Sequence, residues 1–400
     1  GLYVLHLIPC ETIWKEGDLM ERIYLDHAAT SPTHPEVVEK MIPYMTETFG
    51  NPSSIHFYGR QTRHAVDEAR RACARSIHAN PNEIIFTSGG TEADNLALIG
   101  VARANRHKGN HIITTQIEHH AILHTCELLE REGFEVTYLP VDETGRVQVS
   151  DIQKVLTEET ILVSVMFGNN EVGTMQPIAE IGKLLKEHQA YFHTDAVQAY
   201  GLVEINVKEF GIDLLSISAH KINGPKGVGF LYAGTNVKFE PLLIGGEQER
   251  KRRAGTENVP SIVGLQHAIL LAEKTREQKN AQYEEFKDIM VSVFQNEGIT
   301  FEVNGNLEYR LPHVLNISFT GMNIEPFLVN LDLAGIAVSS GSACTAGSID
   351  PSHVLVAMFG KDSDQIRSSV RFSFGLGNTK EQIEKAAYET VKIVKRLTQN

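Results

Sequence analysis

The sequence predicts an α/β protein: a mostly parallel sheet with helices on both faces, followed by a smaller α+β domain toward the C-terminus. Three observations carry this. From Ile84 to Tyr232, short apolar runs of strand character alternate with stretches of helical periodicity, the pattern of repeated strand–helix units. A long helical stretch, about Asn258 to Asn296, then leads out of that region. The chain has 400 residues, 42% of them apolar, enough to bury two cores.

Residues 1–19 come first. The run from Leu2 to Pro9 is apolar but short, no basic stretch precedes it, and Glu11, Glu16 and Asp18 follow. That is neither a signal peptide nor a membrane span. The segment reads as an extension outside the fold, and it holds the only tryptophan, Trp14. A strand near Ile23–Leu25 is expected to join the smaller domain, which gives a large domain over 31–273 and a small one over 20–30 and 274–400. Within the large domain, Ile84-Ile85-Phe86-Thr87 runs into Ser88-Gly89-Gly90-Thr91, and the strand His111–Thr115 into Glu118-His119-His120. Ile161–Met166 leads to Asn169-Asn170-Glu171, Tyr191–His193 to Asp195, and Asp213–Ser218 to Ala219-His220-Lys221. The small domain is expected to have strands near His313–Phe319 and Ser369–Phe374 and a last helix near Lys380–Leu397. There are no internal repeats and no low-complexity linker.

The strand ends carry the chemistry, because ligands of α/β sheets bind at the carboxyl edge. Lys221 is a candidate Schiff-base former, and Asp195, 26 residues earlier, is a carboxylate at a neighbouring strand end. Pyridoxal phosphate asks for this pair: an amine for its aldehyde and an acid to hold its pyridinium nitrogen protonated. A helix-capping aspartate and a surface lysine are the plain alternative. The Gly89-Gly90-Thr91 turn offers a phosphate backbone N–H groups at a helix start, and Thr91 adds a hydroxyl. It matches neither the dinucleotide nor the P-loop pattern. An ordinary strand-to-helix turn is the competing reading. Asn170 offers a donor to the cofactor's phenolic oxygen, or simply a turn residue. His119 offers a ring that stacks on the cofactor and moves protons near neutral pH, or a helix cap. Glu118, His119 and His120 are adjacent and do not share a helix face, so they are not read as a metal site.

Far downstream, Ser339-Ser340-Gly341-Ser342-Ala343-Cys344 places a cysteine among small residues, the setting of a mobile nucleophile. The other cysteines, Cys10, Cys73 and Cys126, show no disulfide or zinc spacing, which fits a reducing cytoplasm. A formal charge of −13 argues against general affinity for nucleic acid. The basic run Arg250-Lys251-Arg252-Arg253 reads, for most of its charges, as a solvated loop.

Together these segments resemble the cysteine desulfurases of the NifS/IscS type. The resemblance runs from about Met20 to the C-terminus through Tyr24-Leu25-Asp26-His27-Ala28-Ala29-Thr30, Gly50-Asn51-Pro52-Ser53-Ser54-Ile55-His56, Thr87 to Asn95, Glu118-His119, Asn169 to Gly173, His193 to Gln198, Ser218 to Lys221, Arg253-Ala254-Gly255-Thr256 and Ser340 to Thr345. It implies fold type I of the pyridoxal phosphate enzymes, with a seven-stranded sheet, and a homodimer. Lys221 would then bind the cofactor and serve as the base, Asp195 would pair with the pyridine nitrogen, and Gln198 and Asn170 would lie near the phenolic oxygen. His119 would stack on the ring. Gly90, Thr91, Ser218 and His220 would hold the phosphate, joined by Thr256 of the partner subunit. Arg371 would clamp the substrate carboxylate with its planar fork, beside Asn170. Cys344 would take the sulfur of L-cysteine as a persulfide, leave alanine, and pass the sulfur to an acceptor for iron–sulfur assembly or tRNA thiolation. The segment Phe374-Gly375-Leu376-Gly377-Asn378-Thr379 lacks an arginine often found there and receives no role. A transaminase, a selenocysteine lyase and a catalytically idle scaffold are the alternatives; Cys344 argues against the first, and Lys221, Asp195 and Cys344 together against the last.

Overall fold

The computed structural model describes residues 20–399 except Ser342, Ala346 and Gly347, with 343–345, 348 and 349 described as backbone only. The extension 1–19, with Cys10 and Trp14, lies outside the described residues.

Strand β1 (Ile23–Tyr24) is short. The next seven strands form one sheet: β2 (Ile84–Thr87), β3 (His111–Thr115), β4 (Glu135–Leu139), β5 (Thr160–Ser164), β6 (Tyr191–Asp195), β7 (Leu214–Ser218) and β8 (Gly229–Ala233). Their spatial order is β2-β8-β7-β6-β5-β3-β4. Only β8 runs against its neighbours; the pairs β7–β6, β6–β5, β5–β3 and β3–β4 are parallel. β2, β3, β5, β7 and β8 are buried along their whole length, and β6 at all but Tyr191, as expected where helices cover both faces. Because β8 is antiparallel to both β2 and β7, the carboxyl ends of β2 through β7 all emerge on one edge. The segments singled out above leave the sheet there.

The smaller part has its own sheet. β9 (Phe301–Asn304) and β10 (Val314–Phe319) are followed by β11 (Ile336–Ala337), the backbone hairpin β12 (Ala343–Thr345) and β13 (Ser348–Asp350), and β14 (Ser369–Ser373). β10 lies between β14 and β9, antiparallel to both. β1 pairs in parallel with β11, and the chain then crosses to β14, where the Ser373 N–H donates to Leu25 O at 2.8 Å. Cys344 sits opposite Ile349 in the hairpin register.

A single helix of 38 residues, Val259–Asn296, belongs to both parts. Its first third buries Val259, Ile262, Val263 and Leu265 in the core under the large sheet. Its last third buries Tyr283, Phe286, Met290 and Phe294, spaced three and four apart on one stripe, against Phe319, Phe372 and Phe374. Phe319 is fully buried, with ring centroids 5.4 Å from both Phe294 and Phe327. Phe319→Ala is expected to cost about 3–5 kcal/mol. Leu307→Ala, at a site 69% exposed, is expected to stay within about 0.5 kcal/mol. Paired urea-unfolding midpoints check both.

Candidate active site

The carboxyl edge of the sheet opens into a cavity of about 340 Å³, within the roughly 300–1,000 Å³ range of small-molecule sites. Gly90, Thr91, His119, Asn170, Asp195, Gln198, Ser218, His220, Lys221 and Arg371 all line it, although they come from six separate segments of the chain. Each arrives by the end of a strand: Gly90 after β2, His119 after β3, Asn170 after β5, Asp195 at the end of β6, Lys221 after β7, and Arg371 from β14 of the smaller part.

At the floor, Gly89 caps the helix Gly90–Ala104 with a φ of 151° that favours glycine, and a Cβ on Gly90 would meet Val197 Cγ2 at 2.9 Å. Backbone N–H groups therefore face the cavity without a side chain in front of them, which suits an anion. Ser218 and His220 flank this end. His220 Nδ1 lies 3.0 Å from Thr30 Oγ1, and burial, followed by the charges of Lys221 and Lys226, pushes its pKa down to about 4. It is a neutral hydrogen-bonding group.

Lys221 ends the short 3₁₀ turn Ala219–Lys221. Its Nζ donates to Ala28 O and to Ala29 O, the latter at 2.7 Å. Burial first, and the Arg371 guanidinium second, lower its pKa to about 8, so a neutral amine is accessible near physiological pH. Asp195 is buried, and its Oδ1 accepts from the Val197 N–H at 3.0 Å. Gln198 is held at both ends of its amide: Nε2 donates to Ala28 O at 3.0 Å, and Oε1 faces His313 Nε2 at 2.9 Å. His119 is the N-cap of the helix His120–Arg131, and its Nδ1 accepts from the Ala121 N–H at 3.0 Å. That leaves the proton of the neutral ring on Nε2. Desolvation keeps the ring neutral by lowering its pKa, and His120, Lys221 and His124 add to the effect.

Arg371 is buried and already engaged: Nη2 pairs with Asp26 Oδ1 at 2.9 Å, and Nη1 donates to Asn170 O at 2.8 Å. Its Nε has no hydrogen-bond partner. The Asp26 pairing joins residues 345 apart and had no assigned role in the sequence. Asp94 also lines the cavity unforeseen. The signal for it was its place near the start of the Gly90–Ala104 helix, three residues after Thr91. Glu171 was quoted only as part of a motif. It is buried, accepts from Ser352 Oγ, and lies against Gly341, so it touches both flanks of the hairpin that carries Cys344.

Thr256 does not line this cavity. It borders a separate one of about 220 Å³ with Ser88, Gly227 and Glu257. Its loop is nevertheless fastened beside the anion cradle, because Arg253 pairs with Glu92 through Nε at 2.9 Å and Nη2 at 2.8 Å. Arg252 Nη1 donates to Asn82 O at 2.8 Å, and Lys251 pairs with Glu247 at 3.1 Å. Arg252 and Arg253 are thus engaged with the protein, while Arg250 and Lys251 are exposed. Glu249, Arg250 and Lys251 hold φ values of 49°, 58° and 64°, a conformation costing about 1–2 kcal/mol per residue outside glycine. The buried Arg70–Glu249 pair, at 2.5 and 3.0 Å, holds the turn in place. Asn378, in the segment without an assigned role, accepts from the Gly375 N–H and donates to Tyr24 O at 3.0 Å, a structural tie between β14 and β1.

The side chain of Cys344 lies outside the described residues. Cys73 and Cys126 are fully buried, and burial pushes both thiols up, away from the reactive thiolate form. Among the described residues no cluster of His, Cys, Asp or Glu has the arrangement of a metal site, and no helix is long and apolar enough to cross a membrane.

Comparison with known proteins agrees with this architecture. Residues 23–386 match the family model described as Aminotransferase class-V. The chain belongs to that family, among the cysteine desulfurases of the NifS/IscS type. It is 64% identical over 379 residues to a protein of Bacillus subtilis (strain 168) named putative cysteine desulfurase IscS 1, covering 95% of this chain and 100% of that one. It is 51% identical over 378 residues to the cysteine desulfurase IscS of Clostridium botulinum (strain Hall), covering 94% and 95%. Among solved structures, a NifS-like protein superposes with a TM-score of 0.88 at 36% identity, covering 94% of this chain and 100% of that one. A NifS-like protein from Rickettsia africae gives 0.82 at 30% identity, covering 95% and 100%. The large α/β domain and smaller α+β domain are those of fold type I of the pyridoxal phosphate enzymes.

Proposed function

We propose that this chain is a pyridoxal phosphate-dependent cysteine desulfurase. It converts L-cysteine to L-alanine and carries the sulfur as a persulfide on Cys344 to an acceptor protein of iron–sulfur cluster assembly or tRNA thiolation. The observation that carries the reading is the cavity itself: a depressed-pKa lysine, a buried aspartate and a side-chain-free helix start converge there with Arg371. These residues fit the cofactor. The Gly90 cradle would hold its phosphate, Lys221 its aldehyde and Asp195 its ring nitrogen, and His119, Asn170 and Gln198 would supply the remaining contacts. When bound, the cofactor supplies an electron sink for the substrate Cα. Lys221 removes the Cα proton with its neutral amine. Arg371, which lines the cavity, holds the substrate carboxylate with its guanidinium. His119, neutral with its proton on Nε2, hands protons across the cavity.

The domain division at residues 30–31 and 273–274 and a cytoplasmic location belong to the same reading. So does a homodimer in which Thr256 reaches the partner's phosphate. The dimer is supported by the exposed apolar residues Ile42, Met45, Phe49, Ile55, Phe57 and Ile244, which are 52–92% accessible in the single chain. The test is an assay of the protein loaded with pyridoxal phosphate and given L-cysteine. Alanine and sulfane sulfur are expected in equal amounts with no keto acid added. Amino transfer that depends on a keto acid, with no sulfur released, would overturn the proposal.

A further inference from the structure

Beneath the cavity lies a carboxyl group that the proposed reaction does not use. Asp94 is 1% exposed, the fifth residue of the Gly90–Ala104 helix, packed against Asp195 and Ser216. Its Oδ1 has no hydrogen-bond partner. Two carboxyl groups in one dry site do not both ionise, because each anion raises the cost of the other. A buried carboxylate with an unsatisfied oxygen is far more costly than a buried acid with an unsatisfied carbonyl.

A counter-ion would change this conclusion, and the nearest candidate is His193. Its Nε2 is 3.6 Å from Asp94 Oδ1, but the ring is already committed, with Nδ1 2.7 Å from Ser164 Oγ and Nε2 2.9 Å from Ser216 Oγ. Burial holds His193 neutral down to about pH 4. The other titratable groups acting on Asp94 are the carboxyls of Asp195 and Glu118, and neither is a counter-ion.

We propose that Asp94 is a positioning residue: a neutral carboxylic acid whose O–H donates to the Asp195 carboxylate, fixing that carboxylate from behind while its open side faces the cavity. With the Val197 N–H, Asp195 then has two donors, one from the chain that follows β6 and one from the helix that starts the anion cradle. The same helix thus serves both ends of the proposed cofactor, its N-terminus at the phosphate and its Asp94 behind the ring's counter-charge. The inference rests on the reading of the cavity as a pyridoxal phosphate site. Burial first, and Asp195 second, hold the Asp94 carboxyl well above the usual carboxylate range. Burial likewise raises Glu118 to about 8.

The test compares wild type, Asp94→Asn, Asp94→Ala and the control Glu118→Gln. Infrared spectra of the cofactor-free proteins at pH 7 are expected to show protonated-carboxyl C=O stretch in the wild type. One component should be lost in Asp94→Asn and a different one in Glu118→Gln. Asparagine's amide N–H replaces the acid's O–H, so Asp94→Asn should bind pyridoxal phosphate within about twofold of wild type. Asp94→Ala should bind about tenfold or more weakly, the scale of one lost hydrogen bond to a charged group. An Asp94→Asn spectrum unchanged in the carboxyl region, or Asp94→Asn binding as weakly as Asp94→Ala, would overturn the inference. A wild-type chain that takes up no pyridoxal phosphate would instead overturn the reading of the cavity, and the infrared measurement still decides whether Asp94 carries the proton.

Discussion

Lys221→Ala is expected to stop alanine formation, with a loss of about 10²–10⁴-fold or more, the range set by removing a positioned general base. The cavity contains no substitute. The other cation lining it, Arg371, stays protonated and is tied to Asp26 and Asn170. His119 and His220 are neutral bases, but neither sits where the Lys221 amine meets Ala28 and Ala29. Cofactor binding should survive in weakened form, because the Gly90 cradle, Asp195 and His119 are untouched. The decisive measurement is exchange of the cysteine Cα proton with deuterated solvent. Exchange should disappear together with alanine production. Alanine formation at the wild-type rate would remove Lys221 from the reaction.

Cys344→Ser separates the two halves of the reaction. The wild-type step needs no outside oxidant. In the proposed reaction the Cys344 thiolate would form a bond to the substrate sulfur, the carbon–sulfur bond would break with its electron pair going to carbon, and Cys344 would be left as a persulfide. A serine hydroxyl near neutral pH is almost wholly un-ionised and attacks sulfur poorly. Sulfur release should therefore fall on the order of 10⁴–10⁶-fold, the scale seen when a catalytic nucleophile is removed. Cα proton exchange should continue, because Lys221 remains. Neither Cys73 nor Cys126 should take over, since both are fully buried. Mass measurement of the wild-type chain after reaction with cysteine should place one added sulfur on the peptide containing Cys344. An added sulfur on Cys73 or Cys126, or unimpaired release by Cys344→Ser, would refute the assignment.

Much of the large domain was legible because most of its strands are buried. Ile84–Thr87, His111–Thr115 and Leu214–Ser218 are apolar or β-branched runs ended by glycine or polar residues, and each end exposes a functional candidate at the carboxyl edge. The helix Val259–Asn296 was legible to within one residue at its start. The smaller part was less so. β11 has two residues and no period to read, and β9, Phe301–Asn304, alternates with half-exposed positions. The helices Ile324–Leu333 and His353–Phe359 were not foreseen either. In the site, the groups visible in sequence were those whose chemistry is unusual at a strand end: Lys221, Asp195, His119. The groups that hold them were not. Asp26 meets Arg371, His313 meets Gln198, and Arg253 meets Glu92 only after the chain has folded, and no local pattern encodes such long-range pairs.

The Val259–Asn296 helix also acts as a gauge. Between Ala272 and Tyr283 it fully buries no side chain, and beyond its own backbone ladder the stretch joining its two cores is tied by Asn280 Nδ2, which donates to Leu202 O at 2.8 Å. Each residue in that stretch turns the far end by about 100° and advances it about 1.5 Å. One residue more would swing Tyr283, Phe286 and Met290 off the stripe that meets Phe374 and present a polar flank instead. Seven residues fewer would restore the stripe but draw the smaller part about 10 Å toward the larger. The count of residues in this largely solvent-facing segment therefore sets the separation between Lys221 and the chain that bears Arg371 and Cys344. Apart from Asn280, its sequence is less constrained than its length.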